Sequence, residues 1–187
     1  SIDVYMQHFK KIVGFEPDDT FFDILNHVKS QKYDNVQLHN IPLSDQKLNR
    51  TFWTLSKKDR TRSSINPMQY LGGASLNFNW AEQKGNGEIT FTSRPVITQR
   101  LDHVVKVTKI KNIDLIKIDA EKEDSRIVIG AENTIKRWRP LIQIESCDDE
   151  CESRLKEWNF IEISFDRDVS EINGRPRDRF FISKDKI

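Results

Sequence analysis

Short apolar runs alternate with amphipathic stretches of helical length along most of this sequence, and that rhythm limits the folds open to it more than any other feature. KIVGF (11–15), NVQLHNIPL (35–43), IDLIKID (113–119), RPLIQIE (139–145), FIEISF (160–165) and RFFIS (179–183) read as strands, several apolar enough to be buried on both faces. Between them, Phe21, Phe22, Leu25 and Val28 form the inward stripe of one helix, with Thr20 and Asp23 in capping-box spacing. Ile127, Ala131, Ile135 and Trp138 mark a second helix, and Cys151, Leu155 and Trp158 a third. Ile2, Tyr5, Met6 and Phe9 share a face of a helix that opens the chain. Strands separated by helices imply parallel βαβ units and a doubly wound sheet with helices on both faces. The last two strands flank a turn at Asn173-Gly174 and are expected to pair antiparallel.

Residues 46–100 break the rhythm. Gly72-Gly73, Gly85, Gly87 and scattered Trp53, Tyr70 and Trp80 read as short strands and loops folded over one end of the sheet. Ligands of open α/β sheets bind beyond the carboxyl ends of the strands, so this insertion is placed to act as a substrate lid. With 187 residues, the whole chain reads as one domain with that insertion inside it.

Charge narrows the partners. The 30 Lys and Arg nearly cancel the 29 Asp and Glu, leaving +1, which gives no reason to expect nucleic acid or an anionic membrane. The basic cluster Lys57, Lys58, Arg60 and Arg62 is interrupted by Asp59 and lacks RNA-binding aromatic motifs. No apolar run approaches the roughly 18 residues of a membrane span. Cys147 and Cys151 are too few for a disulfide framework or a zinc site of their own, and read as reduced thiols. With no secretory signal in view, the expected location is cytoplasmic.

Strand ends supply the candidate chemistry. Glu16, closing the first strand in GFEPDD, has the position of an acid that accepts both hydroxyls of a nucleotide ribose; it equally suits a helix N-terminus, where the macrodipole favours acids. Lys117, Asp119 and Glu121 in KIDAE alternate onto one side at the ligand end of a central strand. Three ionisable groups there imply function, with an ion pair between Lys117 and an acid as the structural alternative. Glu145 is a similar strand-end acid, and Gly73-Ala74-Ser75 allows a close backbone approach to a ligand or a plain turn. Arg60, Arg62, Tyr70 and Trp80 are weaker candidates for contacts to a polar acceptor, as are the lone histidines His39 and His103 for proton transfer.

Five segments in order resemble the FkbM family of methyltransferases: VGFEPDD; NVQLHNIPLSD, similar to a valine-rich strand ending in ALSD; GGASL, similar to GASSL; ITQRLDHV, similar to TLDDL; and IDLIKIDAEKEDSRIVIGAENTIKRWRPLIQIE. The last is similar to the family's KIDVEG, helix, small-residue turn, and RP before an apolar strand ending in Glu. The resemblance runs from near residue 1 to the C-terminus. It implies a Rossmann-like, mostly parallel sheet and an S-adenosylmethionine-dependent O-methyltransferase acting on a hydroxyl of a sugar, glycan or similar small molecule. It implies Glu16, Pro17, Asp18, Ser44, Asp45 and Asp119 around the cofactor, with Glu16 on the ribose and Asp45 near the adenine. Asp119, Glu121 and Lys117 would serve the reaction, and Gly73, Ala74, Ser75 and Glu145 the acceptor. No metal is required; were one to bind, Asp119 and Glu121 are the natural oxygen ligands.

Two departures stand out. Lys122 occupies the place of the family's glycine in KIDVEG. The family's first strand and its glycine-rich loop have no counterpart, which would leave the strands ending at Glu16 and Asp119 facing a gap about 5 Å wide on each side of a missing strand. Ser1 therefore reads as an interior residue of a longer polypeptide, preceded by an apolar strand and a Gly-rich turn. A catalytically inactive, methyltransferase-like binding module and a nucleotide-sugar or dinucleotide enzyme are the competing readings.

Overall fold

A computed structural model describes residues 8–55, 75–76, 91–164, 171–172, 175–176 and 178–187. In chain order these form β1 (Ile12–Phe15), α1 (Asp19–Lys32), β2 (Val36–His39), β3 (Asn49–Leu55), β4 (Phe91–Ile97), α2 (Leu101–Thr108) and β5 (Leu115–Ile118). Next come α3 (Asp124–Gly130), α4 (Glu132–Trp138), β6 (Leu141–Ile144), α5 (Asp149–Glu157), β7 (Phe160–Ile163), β8 (Glu171–Ile172), β9 (Arg175–Pro176) and β10 (Arg179–Ser183). The opening helix over 2–10 and the turn at Asn173-Gly174 fall largely or wholly outside the described residues.

The core is a four-stranded sheet in the order β5-β6-β10-β7. Leu115–Ile118 and Leu141–Ile144 run parallel, in the register Ile116 to Ile142 and Ile118 to Ile144. Residues Arg179–Ser183 then pair antiparallel with both β6 and β7. Ile118, Ile142, Ile144 and Phe181 are buried, and Ile127, Val128, Ile135 and Leu155 from α3, α4 and α5 belong to the same cluster. This is the region where apolar density made the strands readable.

Three other pairs stand apart among the described residues, the smallest being β8 with β9, antiparallel. Residues Ile12–Phe15 run parallel to Val36–His39, and β3 pairs antiparallel with β4 from Asn49–Ile97 to Leu55–Phe91. The described sheets are therefore small and mixed rather than one mostly parallel sheet. Apolar β1 has no fully buried residue, whereas β6 is buried through Ile142, Gln143 and Ile144. Of residues 46–100, β3 and β4 are strands of seven residues each, and residues 56–74 and 77–90 lie outside the described residues.

Three local expectations are corrected. The N-cap of α1 is Asp18 rather than Thr20: its carboxylate accepts the N–H groups of Thr20 at 2.9 Å and Phe21 at 3.2 Å. Phe21, Phe22 and Leu25 are half-buried as the stripe implied, but Val28 is exposed. The helix expected through Ile127–Trp138 is two helices, broken at Ala131 (φ −108°, ψ 7°). Ala131 offers no capping oxygen, and Asp102 on α2 supplies one by accepting the N–H groups of Asn133 at 3.2 Å and Thr134 at 2.8 Å. Among the described residues no helix is long and apolar enough to cross a membrane.

Candidate functional site

A trench of about 650 Å³ separates β1 from β5 and is lined along the length of both strands. Among the described residues β1 pairs only with β2 and β5 only with β6, so each turns an unladdered edge toward the trench. The carboxyl ends of the two strands lie at the same end. Thr54 donates to the Asp18 carboxylate at 2.5 Å just beyond β1, and Ser75 Oγ donates to the Glu121 carbonyl at 3.0 Å just beyond β5. Trp53 and Ser75 exchange backbone hydrogen bonds at 2.9 Å, which ties the strand bonded to Asp18 to the segment bonded to Glu121.

Glu16 lies at that end of the trench, its mouth. Its N–H continues the ladder by donating to the His39 carbonyl at 3.0 Å, and its Oε1 accepts the Asp18 N–H at 2.7 Å, which fixes the carboxylate beside the trench. Pro17 also lines the mouth, its carbonyl held by Arg94 at 2.5 Å. Asp18 is buried and turned away, with both oxygens engaged by the α1 amides and Thr54. Its place in the fold is that of a cap.

Across the mouth, Lys117, Asp119 and Glu121 line the trench from β5 and the turn after it. Lys117 Nζ lies 2.7 Å from Asp119 Oδ2, the ion pair anticipated as the structural alternative. Glu121 (φ 48°) and Lys122 (φ 78°) are both left-handed, so Lys122 stands where a backbone of that shape favours glycine.

Other candidates are dispersed. Ser75 lines the trench and is buried, while Gly73 and Ala74 lie outside the described residues, as do Arg60, Arg62, Tyr70 and Trp80. Ser44 is buried and donates to Asp45 Oδ1 at 3.0 Å and, more weakly, to Glu123 Oε2 at 3.4 Å. Asp45 accepts from Arg100 through its carbonyl at 2.7 Å, and neither Ser44 nor Asp45 lines the trench. Glu145 follows β6, its N–H donating to the Ile118 carbonyl at 3.1 Å, and also lies off the trench. His39 stacks on Phe15 with ring centroids 5.4 Å apart, and its buried Nε2 has no partner among the described residues; His103 is exposed on α2.

Three residues escaped the sequence reading. Glu123 lines the trench, is buried, and receives a two-pronged ion pair from Arg50 at 2.6 and 2.9 Å. Asp124 is buried, and among the described residues neither carboxylate oxygen has a hydrogen-bond partner. Burial pushes its carboxyl above the usual aspartate range, and the charge of Asp119 adds to the rise; the nearby N–H groups of Ala120 and Ser146 offset only part of it. Among the described residues, no cluster of three or more His, Cys, Asp or Glu is arranged to hold a metal ion.

The chain is an α/β protein with acidic residues at the carboxyl ends of parallel-paired strands, the end at which open α/β sheets as a class bind ligands. The family model of the methyltransferase FkbM domain matches residues 4–168, and the chain belongs to the FkbM methyltransferase family. A crystal structure described as methyltransferase FkbM from Methylobacillus flagellatus KT shares the fold, with a TM-score of 0.56 and 13% identity. That likeness covers 96% of this chain and 38% of the crystallised one, so this chain spans well under half the length of that relative. No curated protein matches the chain.

Proposed function

We propose that this chain is an S-adenosylmethionine-dependent O-methyltransferase acting on a hydroxyl of a sugar, glycan or similar small molecule. The observation that carries this reading is the shared mouth: Glu16 from the end of β1 and Asp119 and Glu121 from the end of β5 line one trench, together with Ser75, which pairs with Trp53. Carboxylates on both rims suit a ligand with a hydroxylated ribose at one end and a positive centre at the other. When bound, S-adenosylmethionine supplies a methyl group activated on positively charged sulfur.

In this reading Glu16 accepts the ribose hydroxyls, its carboxylate already oriented by the Asp18 N–H. Asp119 and Glu121 are the acids assigned to the acceptor hydroxyl's proton, which a carboxylate within hydrogen-bond reach can take. Lys117 orients Asp119 through the 2.7 Å ion pair. Alignment of the reacting atoms supplies much of the rate. The deeper trench, flanked by two unladdered strand edges, suits one further parallel strand. Filling it would join β1–β2 and the four-stranded sheet into a single mostly parallel sheet and would bury β1, which is apolar yet only half-buried.

Isothermal titration with S-adenosylmethionine, followed by transfer of labelled methyl to hydroxylated acceptors, tests the reading. Binding with transfer supports it. Binding without transfer, or no binding, leaves a non-catalytic member of the family.

A further inference from the structure

We propose that Arg50 and Glu123 are positioning residues: their part-buried ion pair clamps the β3 strand onto the turn that presents Asp119 and Glu121. This rests on the reading of those two acids as the site. The turn is costly by itself, because Glu121 and Lys122 are consecutive left-handed residues with side chains. Within it, the Glu123 N–H donates to the Ala120 carbonyl at 3.2 Å. Outside it, the Ser75 hydroxyl holds the Glu121 carbonyl, and both prongs of Arg50 hold the Glu123 carboxylate.

Arg50 reaches further than one partner. Its Nη2 also approaches the Leu76 carbonyl at 3.4 Å, so a single guanidinium joins β3, the 75–76 segment and the turn. The Arg50 and Glu123 side chains are 21% and 6% exposed, so water screens the pair little. A planar fork on a carboxylate fixes angle as well as distance, which a single contact does not. The β3 strand, the 75–76 segment and the turn that presents the acids therefore move as one unit.

Hydrogen exchange of the whole chain, read by mass spectrometry, tests the clamp. Replacing both partners, Arg50→Met with Glu123→Met, avoids leaving a buried charge unpaired. The expected result is exchange about tenfold faster at amides 119–123, with the β6 amides unchanged. Adding Lys122→Gly, which suits the left-handed backbone, is expected to return much of that protection. Arg50→Lys keeps the charge and gives up the fork; it gives a smaller acceleration in the same segment and serves if the double replacement does not fold. Unchanged exchange at 119–123, equal acceleration in β6, or no recovery with glycine overturns the proposal. Titration with S-adenosylmethionine separates the two readings: weaker binding by the double variant, restored by Lys122→Gly, supports the clamp, and equal binding overturns it. If the parent chain takes up no cofactor, the methyltransferase reading falls while the exchange result still decides the clamp.

Discussion

A Cβ placed on Gly130 would stand 2.1 Å from the carbonyl oxygen of Ser44, so α3 meets the 44–45 turn only because that side chain is absent. The contact joins the segment after β2 to the helix after β5, elements on opposite sides of the trench. Arg100 fastens the same junction by donating to the carbonyls of Asp45 at 2.7 Å and Ile129 at 3.2 Å.

Gly130→Ala tests that junction with a sign opposite to ordinary helix propensity. In an unobstructed helix the change stabilises by about 1 kcal/mol. Here the added methyl meets backbone rather than a flexible side-chain end, and the expected outcome is destabilisation by about 1–3 kcal/mol, read from urea unfolding. A gain in stability would show that the two backbones can separate freely.

Asp102 caps α4 from α2, and its titration should be visible in acid. Burial raises its carboxyl, but hydrogen bonds from Thr134 and Asn133 outweigh that and hold it below the usual aspartate range. A depressed value in the folded state means stability that is present above the unfolded aspartate value and lost as pH falls through the folded one. Asp102→Ala is expected to cost about 1–2 kcal/mol near neutrality, with a flatter stability profile through that acid window. Parallel profiles for the two proteins would contradict the assignment.

The contrast between α1 and α4 shows what can be read from sequence. The β5, β6, β7 and β10 strands were legible because each is a dense apolar run whose burial demands a strand, and Glu16, Asp119 and Glu121 were legible as acids at strand ends. The cap of α1 was misplaced by two residues because Asp18, Asp19 and Thr20 all have capping chemistry, and only the Thr54 contact selects among them. The break at Ala131 was invisible because its cap comes from Asp102, 32 residues before Thr134. Arg50 and Glu123 are 73 residues apart, and nothing in either residue type announces the other. Local pattern reports what a segment buries; it does not report which distant side chain completes it.

Asp124 should make the fold sensitive in the opposite direction. Its folded value is raised, so the stability it contributes is present below the ordinary aspartate value and lost as pH rises through the raised one. Asp124→Asn keeps the shape and removes the buried charge. The two proteins should have similar urea midpoints below the ordinary aspartate value, with the variant gaining stability as pH rises from there to the raised one and a constant advantage above it. A constant offset across the range would mean that Asp124 stays ionised or finds a partner.

Glu16→Gln separates the proposed ribose contact from the carboxylate's local structural bond. A glutamine Oε1 can still accept the Asp18 N–H that Glu16 accepts at 2.7 Å, so the start of α1 and the melting temperature should be unchanged. What is lost is the charge, and hydrogen bonds to a charged acceptor contribute about 1.5–3 kcal/mol against about 1 for a neutral one. For a ligand whose hydroxyls both donate to this side chain, the expected result is S-adenosylmethionine binding weaker by about tenfold, measured by titration calorimetry. Equal affinity in the two proteins would remove Glu16 from the cofactor site and leave it a structural partner of Asp18.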